Sequence, residues 1–216
     1  MAETLDQLYE EMIGCSSCRL RKACTQVVLA TGNKINPILM AIGDGPGQDE
    51  DEQGEPFIGM AGQALRTVFR NTGIINRTNT IITNVVKCRP PKNKFPKDDC
   101  PEICVSRWLW EEIRLAKPKR ILLLGATPLQ YVADLEGIGK CRGQWFTVRG
   151  IRTMPTYHPS YILRQDMAGM MVYRDQWVSD INEMAKEVEI ELKKENEGKS
   201  PEVEQKENVE TELKSE

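Results

Sequence analysis

Four short apolar runs, each ending in a polar or glycine-rich turn, most constrain what this chain can fold into. In chain order they are "NPILMAIGDGPG", "TIITNVVKC", "KRILLLGATP" and the second arm of "WFTVRGIRTMPTYHPSY". Each is short, rich in aliphatic or β-branched residues and bounded by turn residues, and so predicts a strand. The last forms a hairpin through Arg149-Gly150 and ends near His158. Helical spacing fills the intervals. Leu5, Leu8, Met12 and Ile13 predict an N-terminal helix, and Ala64, Leu65, Val68 and Phe69 a helix that stops at Gly73. Another runs from Pro101, capped near Asp98 or Asp99, through Trp108 and Ile113 to Lys117-Pro118, and a fourth starts at Pro128 with Thr127 as cap. Trp177, Ile181, Met184 and Val188 define the last.

Strands alternating with helices predict an α/β fold with a parallel sheet covered on both faces. Such folds bind ligands beyond the carboxyl ends of their strands. Those ends carry Asp44 and Gly45, Asn84, Gly125 and His158, the only histidine in the chain. An acid, an amide and an imidazole on one rim make a candidate site. "GDGPG" lacks both the dinucleotide-binding and the P-loop spacing, so alone it reads equally well as a tight turn. Pro159 restricts the backbone of His158 to extended conformations. Phe57, in the loop "GEPFIG", is either core or a stacking platform by pattern alone.

The N-terminal "MAETLDQLYEEM" carries acids where an export signal needs bases and a long apolar core, and the longest apolar runs are too short to span a bilayer. An intracellular, cytoplasmic protein without a membrane partner is expected, and there clustered cysteines point to metal binding more often than to disulfides. Of seven cysteines, Cys15 and Cys18 form a C-x2-C pair, and with Cys88 and either Cys100 or Cys104 they would complete four thiolate ligands. Zinc and an iron–sulfur cluster both accept four thiolates, and spacing does not decide between them. A redox role is the weaker reading, because this pair precedes the first predicted strand instead of following one.

The net charge of −3 divides unevenly. Residues 183–216 hold twelve acids against six lysines, which leaves the rest of the chain mildly basic, a balance that permits a nucleic-acid partner. A folded domain over residues 1–194 followed by a charged, disordered tail over 195–216 is expected.

Together, "GDGPGQDED", "GEPFIGMAGQAL", "ITNVVKCRPPKNKFP", "EICVSRWL", "LLLGATP" and "HPSYILR" resemble the ordered motifs of the family 4, iron–sulfur uracil-DNA glycosylases. The resemblance runs from about Cys15 to Arg164. It implies a three-layer α/β/α fold with a four-stranded parallel sheet. It also implies a DNA-repair hydrolase that flips uracil out of DNA, cleaves its N-glycosidic bond and leaves an abasic site. A structural 4Fe-4S cluster is implied on Cys15, Cys18, Cys88 and Cys104, with Cys24, Cys100 and Cys141 spare. Phe57 would stack on the flipped base, Asn84 read its polar edge and His158 stabilise charge on the uracil O2. Asp44 and Gly45 would hold or activate the attacking water, and Glu50 would exclude the thymine methyl group. Lys92, Lys94 and Arg164 would contact phosphates, with "HPSYILR" as a loop in the minor groove. The expected partner is uracil-containing DNA, single- or double-stranded, bound by a monomer. One departure stands out: the family usually carries Glu where this chain has Asp44, one methylene shorter, which is expected to cost rate more than binding. The rival expectations are a non-catalytic binder of uracil-containing or damaged DNA, a relative that forms a covalent adduct with uracil-DNA, and a redox or zinc protein unrelated to DNA.

Overall fold

A computed structural model describes residues 2–197. Its centre is one six-stranded sheet of order β1-β3-β2-β4-β6-β5. The strands are β1 (Thr31–Gly32), β2 (Leu39–Gly43), β3 (Thr80–Asn84), β4 (Arg120–Leu124), β5 (Phe146–Val148) and β6 (Ile151–Thr156). The four strands predicted from the apolar runs form the parallel centre. The expected four-stranded, all-parallel sheet is therefore corrected to a mixed sheet of six, with β1 and β5 antiparallel at the two edges. β5 is the first arm of the Arg149-Gly150 hairpin. β1 is two residues long, too short to show a period, and depends on Gly32: with φ +108°, a Cβ there would lie 2.1 Å from the Thr80 carbonyl oxygen.

Alternation along the central strands sorts the core into two layers. Met40, Ile42, Ile81, Ile121 and Leu123 face one side, and Leu39, Ala41, Ile82, Leu122, Leu124 and Met154 the other. The first side is covered by α1 (Leu5–Ile13) and by a helical stretch of three parts, α4 (Cys100–Cys104), a π-helical turn (Val105–Leu109) and α5 (Trp110–Ala116). On the other side pack α3 (Met60–Asn71), α8 (Pro159–Met167) and α9 (Val172–Glu197). Both faces of the sheet are dry, which is why its strands read as continuous apolar runs.

Several boundaries differ from expectation for local reasons. Thr4 and Gln7 close a reciprocal capping box on α1, whose buried face is Leu5, Leu8, Tyr9 and Met12; Ile13 is exposed. α6 (Ala126–Ala133) starts one residue before the expected Thr127 cap, with Gly125 at the N-cap. Two short helices, α2 (Gln48–Gln53) and α7 (Ile138–Cys141), lack a long apolar period and were not expected. "HPSYILR", expected as a loop, is instead the start of α8 with His158 as its N-cap. α9 continues to Glu197, past the expected boundary at residue 195, and the remainder of the expected tail lies outside the described residues.

Candidate functional site

The carboxyl ends of the parallel strands open into a cavity of about 270 Å³. Asp44, Gly45, Glu50, Phe57, Asn84 and His158 all line it, so the six candidate residues outside the cysteines share one space. Gly43 and Asn84 are register partners at the ends of β2 and β3. Gly43 must lack a side chain, because a Cβ there would lie 2.4 Å from the Phe57 ring and 2.7 Å from Asn84 Oδ1. Ring and amide thus meet over a bare backbone.

Phe57 holds a left-handed backbone conformation, φ +57°, which is costly for a bulky residue. Its ring centroid lies 5.8 Å from that of His158. Glu50 supports this loop, its carboxylate accepting from the amides of Gly47 (3.1 Å), Ile58 (3.0 Å) and Gly59 (2.9 Å).

His158 Nδ1 accepts the Ser160 amide at 3.1 Å and lies 2.7 Å from the Ser160 hydroxyl. Arg164 Nη1 donates to that hydroxyl at 3.3 Å. An amide donor on Nδ1 leaves the neutral ring's proton on Nε2. Burial pushes the imidazole below its ordinary value, against a smaller opposing pull from Asp44. Burial likewise pushes the Asp44 carboxyl above the usual range, partly offset by His158, the Thr127 hydroxyl and Arg164. Asp44 Oδ1 is buried without a hydrogen-bond partner and lies against Gly125, 3.4 Å from where a Cβ there would stand. An acceptor with spare capacity, a neutral imidazole N–H and an aromatic face together can bind a planar, polar ring and manage one proton.

Ser160, Asn93, Pro90 and Phe95 also line the cavity and were missed. Asn93 is left-handed, φ +56°, a conformation that asparagine tolerates better than most residues; its place in a proline- and lysine-rich loop was the available signal. Lys92, Lys94 and Arg164 are exposed.

A second cavity shares no lining residue with the first. Cys15, Cys18, Cys88 and Cys104 all line it, and Cys24, Cys100 and Cys141 do not. Of the two cysteines that spacing left equal, Cys104 lines this cavity, while Cys100 lies close to Cys18 from outside the lining. Trp108, buried in the π-helical turn, donates from Nε1 to Cys15 Sγ at 3.3 Å. Burial raises the Cys15 thiol, yet hydrogen bonds from Ser17 and Trp108 hold it below its ordinary value. Among the described residues, the one group of three or more His, Cys, Asp or Glu donors within 4.8 Å of one another is Asp98, Asp99 and Cys100, so no three of the cavity's sulfurs approach that closely. Lys87, which lines this second cavity, forms a buried ion pair: its Nζ lies 2.6 Å from Glu112 Oε2, and Thr83 Oγ1 donates to the same oxygen at 2.8 Å.

The family model of the uracil DNA glycosylase superfamily matches residues 29–185, a span that includes the whole sheet. The chain belongs to that superfamily. Its type-4 relatives include the "Type-4 uracil-DNA glycosylase" of Thermotoga maritima, 38% identical over 75% of this chain and 84% of that protein. The protein of the same name from Archaeoglobus fulgidus is 32% identical over 84% of this chain and 92% of its own length. The one from Saccharolobus solfataricus is 36% identical over 74% and 78%. The type-4 resemblance read from the motifs is thereby established. Among the described residues, no helix of this glycosylase-family chain is long and apolar enough to cross a membrane.

Proposed function

We propose that this chain hydrolyses the N-glycosidic bond of uracil in DNA, releasing uracil and leaving an abasic site. The observation that carries this reading is the convergence of Phe57, Asn84, His158 and Asp44 on one cavity in a chain of this family. A base inside a duplex must be extracted to be cut, and a mispaired uracil costs less to extract. Phe57 stacks on the extruded ring. The Asn84 amide, both donor and acceptor, reads its polar edge. As the C1′–N1 bond breaks, its electron pair passes into the uracil ring, and the His158 Nε2–H donates to the charge growing on O2. Asp44, with Gly45, orients a water whose oxygen bonds to C1′, and the Asp44 carboxylate takes the proton that water releases. Glu50 holds the turn that closes the cavity beside the base and narrows it against a methyl group. Lys92, Lys94 and Arg164 supply phosphate contacts along single- or double-stranded DNA. The enzyme acts as a monomer in the cytoplasm.

We also infer a 4Fe-4S cluster on Cys15, Cys18, Cys88 and Cys104. What supports this is that all four thiols line one cavity in a chain whose motifs resemble those of the iron–sulfur type. When bound, the cluster ties the CSSC turn to the loop after β3 and to α4, and the hydrolysis needs no electron from it.

Incubation with a uracil-containing oligonucleotide, then alkali, tests the reading. Scission at the uracil is expected. Retarded but intact DNA would instead make the chain a binder that has lost hydrolysis.

A further inference from the structure

The left-handed backbone of Phe57 is not set by a glycine or an asparagine, so something outside the residue must hold it. Two charged side chains do so from opposite sides. Glu50 takes the amide hydrogens of Ile58 and Gly59. Arg66, the seventh residue of α3, takes the carbonyls: its Nε donates to the Phe57 oxygen at 3.1 Å and its Nη2 to the Pro56 oxygen at 3.3 Å. The same Nη2 donates to Glu55 Oε1 at 2.9 Å, and Glu55 is held in turn by the Thr31 hydroxyl of the edge strand and by Arg77. Gly62 closes the arrangement, since a Cβ there would lie 1.8 Å from the Phe57 oxygen. The carbonyl of Phe57 thus lies against Gly62 and accepts from Arg66, while its ring is directed to Gly43 and His158.

We propose that Arg66 is a positioning residue for base recognition: its guanidinium holds Phe57 in the conformation that presents the ring to the extruded uracil. This rests on Phe57 being the stacking platform proposed above. Arg66 does not line the base cavity; it lines a separate cavity on the β1–β3 edge, so its effect on the substrate passes through Phe57. Without the two carbonyl bonds, Phe57 relaxes toward an ordinary φ and its ring turns away from the base. Stacking on the bound base acts on ground and transition states alike, so the loss falls on KM and leaves kcat in place.

The test compares wild type with Arg66→Gln, Arg66→Lys and Arg77→Gln, reading KM and kcat on a uracil oligonucleotide and, by calorimetry, the affinity for free uracil. Arg66→Gln should weaken free-uracil binding and raise KM by about tenfold, the scale expected when charge-assisted hydrogen bonds are lost, with kcat within about twofold. Arg66→Lys keeps one donor and should fall between, and it serves if the Gln variant does not fold. Arg77→Gln leaves both carbonyl bonds and should match wild type. In a Phe57→Ala background, Arg66→Gln should add nothing, because the two act as one unit. Additive losses, unchanged uracil affinity, or an equal effect from Arg77→Gln would overturn the proposal. Wild type that binds uracil but releases none from DNA would overturn the hydrolase reading alone, and the calorimetric series would still decide the role of Arg66.

Discussion

His158 accepts the Ser160 backbone N–H on Nδ1 at 3.1 Å, so in the neutral ring the proton sits on Nε2. In the proposed mechanism that Nε2–H is the donor to the leaving uracil. His158→Ala should lower kcat by about 10²–10³, as for other lost oxyanion donors, with little change in KM. Steady-state kinetics at saturating DNA checks this, and a change confined to KM would contradict the assigned role.

The pH profile follows from the directions of two shifts. Asp44 must be ionised to accept a proton, and burial raises its pKa, so activity is present above that raised value and is lost as pH falls through it. The acid limb should therefore lie above the ordinary carboxylate range. His158 is shifted downward and stays neutral as pH falls until below its ordinary value, so its donor is not what the limb reports. Asp44→Asn should remove both the limb and most of the rate, a loss of about 10²–10⁴.

Gly43 is a position where a single methyl group should disable recognition. A Cβ would come within 2.4 Å of the Phe57 ring and 2.7 Å of Asn84 Oδ1. Gly43→Ala should displace both groups and reduce kcat/KM at least about tenfold, with a folded protein by circular dichroism. Wild-type kinetics would show that ring and amide do not need this close approach.

The two neighbouring cysteines of α4 should part company. Cys104→Ser removes a thiol that lines the second cavity, where the cluster is proposed, and Cys100→Ser one that does not. Anaerobic preparations should keep wild-type iron in the Cys100 variant and lose most of it in the Cys104 variant. Stoichiometric zinc without iron in wild type would refute the cluster.

Lys87 and Glu112 are respectively 2% and 0% exposed, and a lone charge left there has nowhere to go. Lys87→Met should cost about 3–5 kcal/mol, and adding Glu112→Leu should recover much of it. Melting temperatures of the single and double variants check the pair. An unchanged single variant would mean that water reaches Glu112.

The sheet and its rim were legible in the sequence because both rest on short-range rules. Apolar runs of strand length marked the four parallel strands, and the carboxyl-end rule gathered Asp44, Asn84 and His158 before any contact was known. Edge strand β1 was hidden, since two residues carry no period and its pairing depends on the bare approach of Gly32 to Thr80. Helix α8 was read as a loop because its signal is a histidine cap followed by proline, not an apolar face. Spacing left Cys104 and Cys100 equal, since both lie on one short helix; the motif resemblance favoured Cys104, and the fold puts that residue in the lining of the second cavity. Arg66 was invisible because its partners are carbonyl oxygens, which every residue has.

On the proposed function, the cavity around Asn84 frees uracil from DNA. The most direct measurement is a count of free uracil released from a uracil-containing oligonucleotide, by wild type and by Asn84→Ala, chromatographed before any alkali treatment. The account predicts one uracil per abasic site from wild type and at least about a hundredfold slower release from the variant, since a buried polar reader is lost. Equal release by both proteins, or none from wild type, would contradict it.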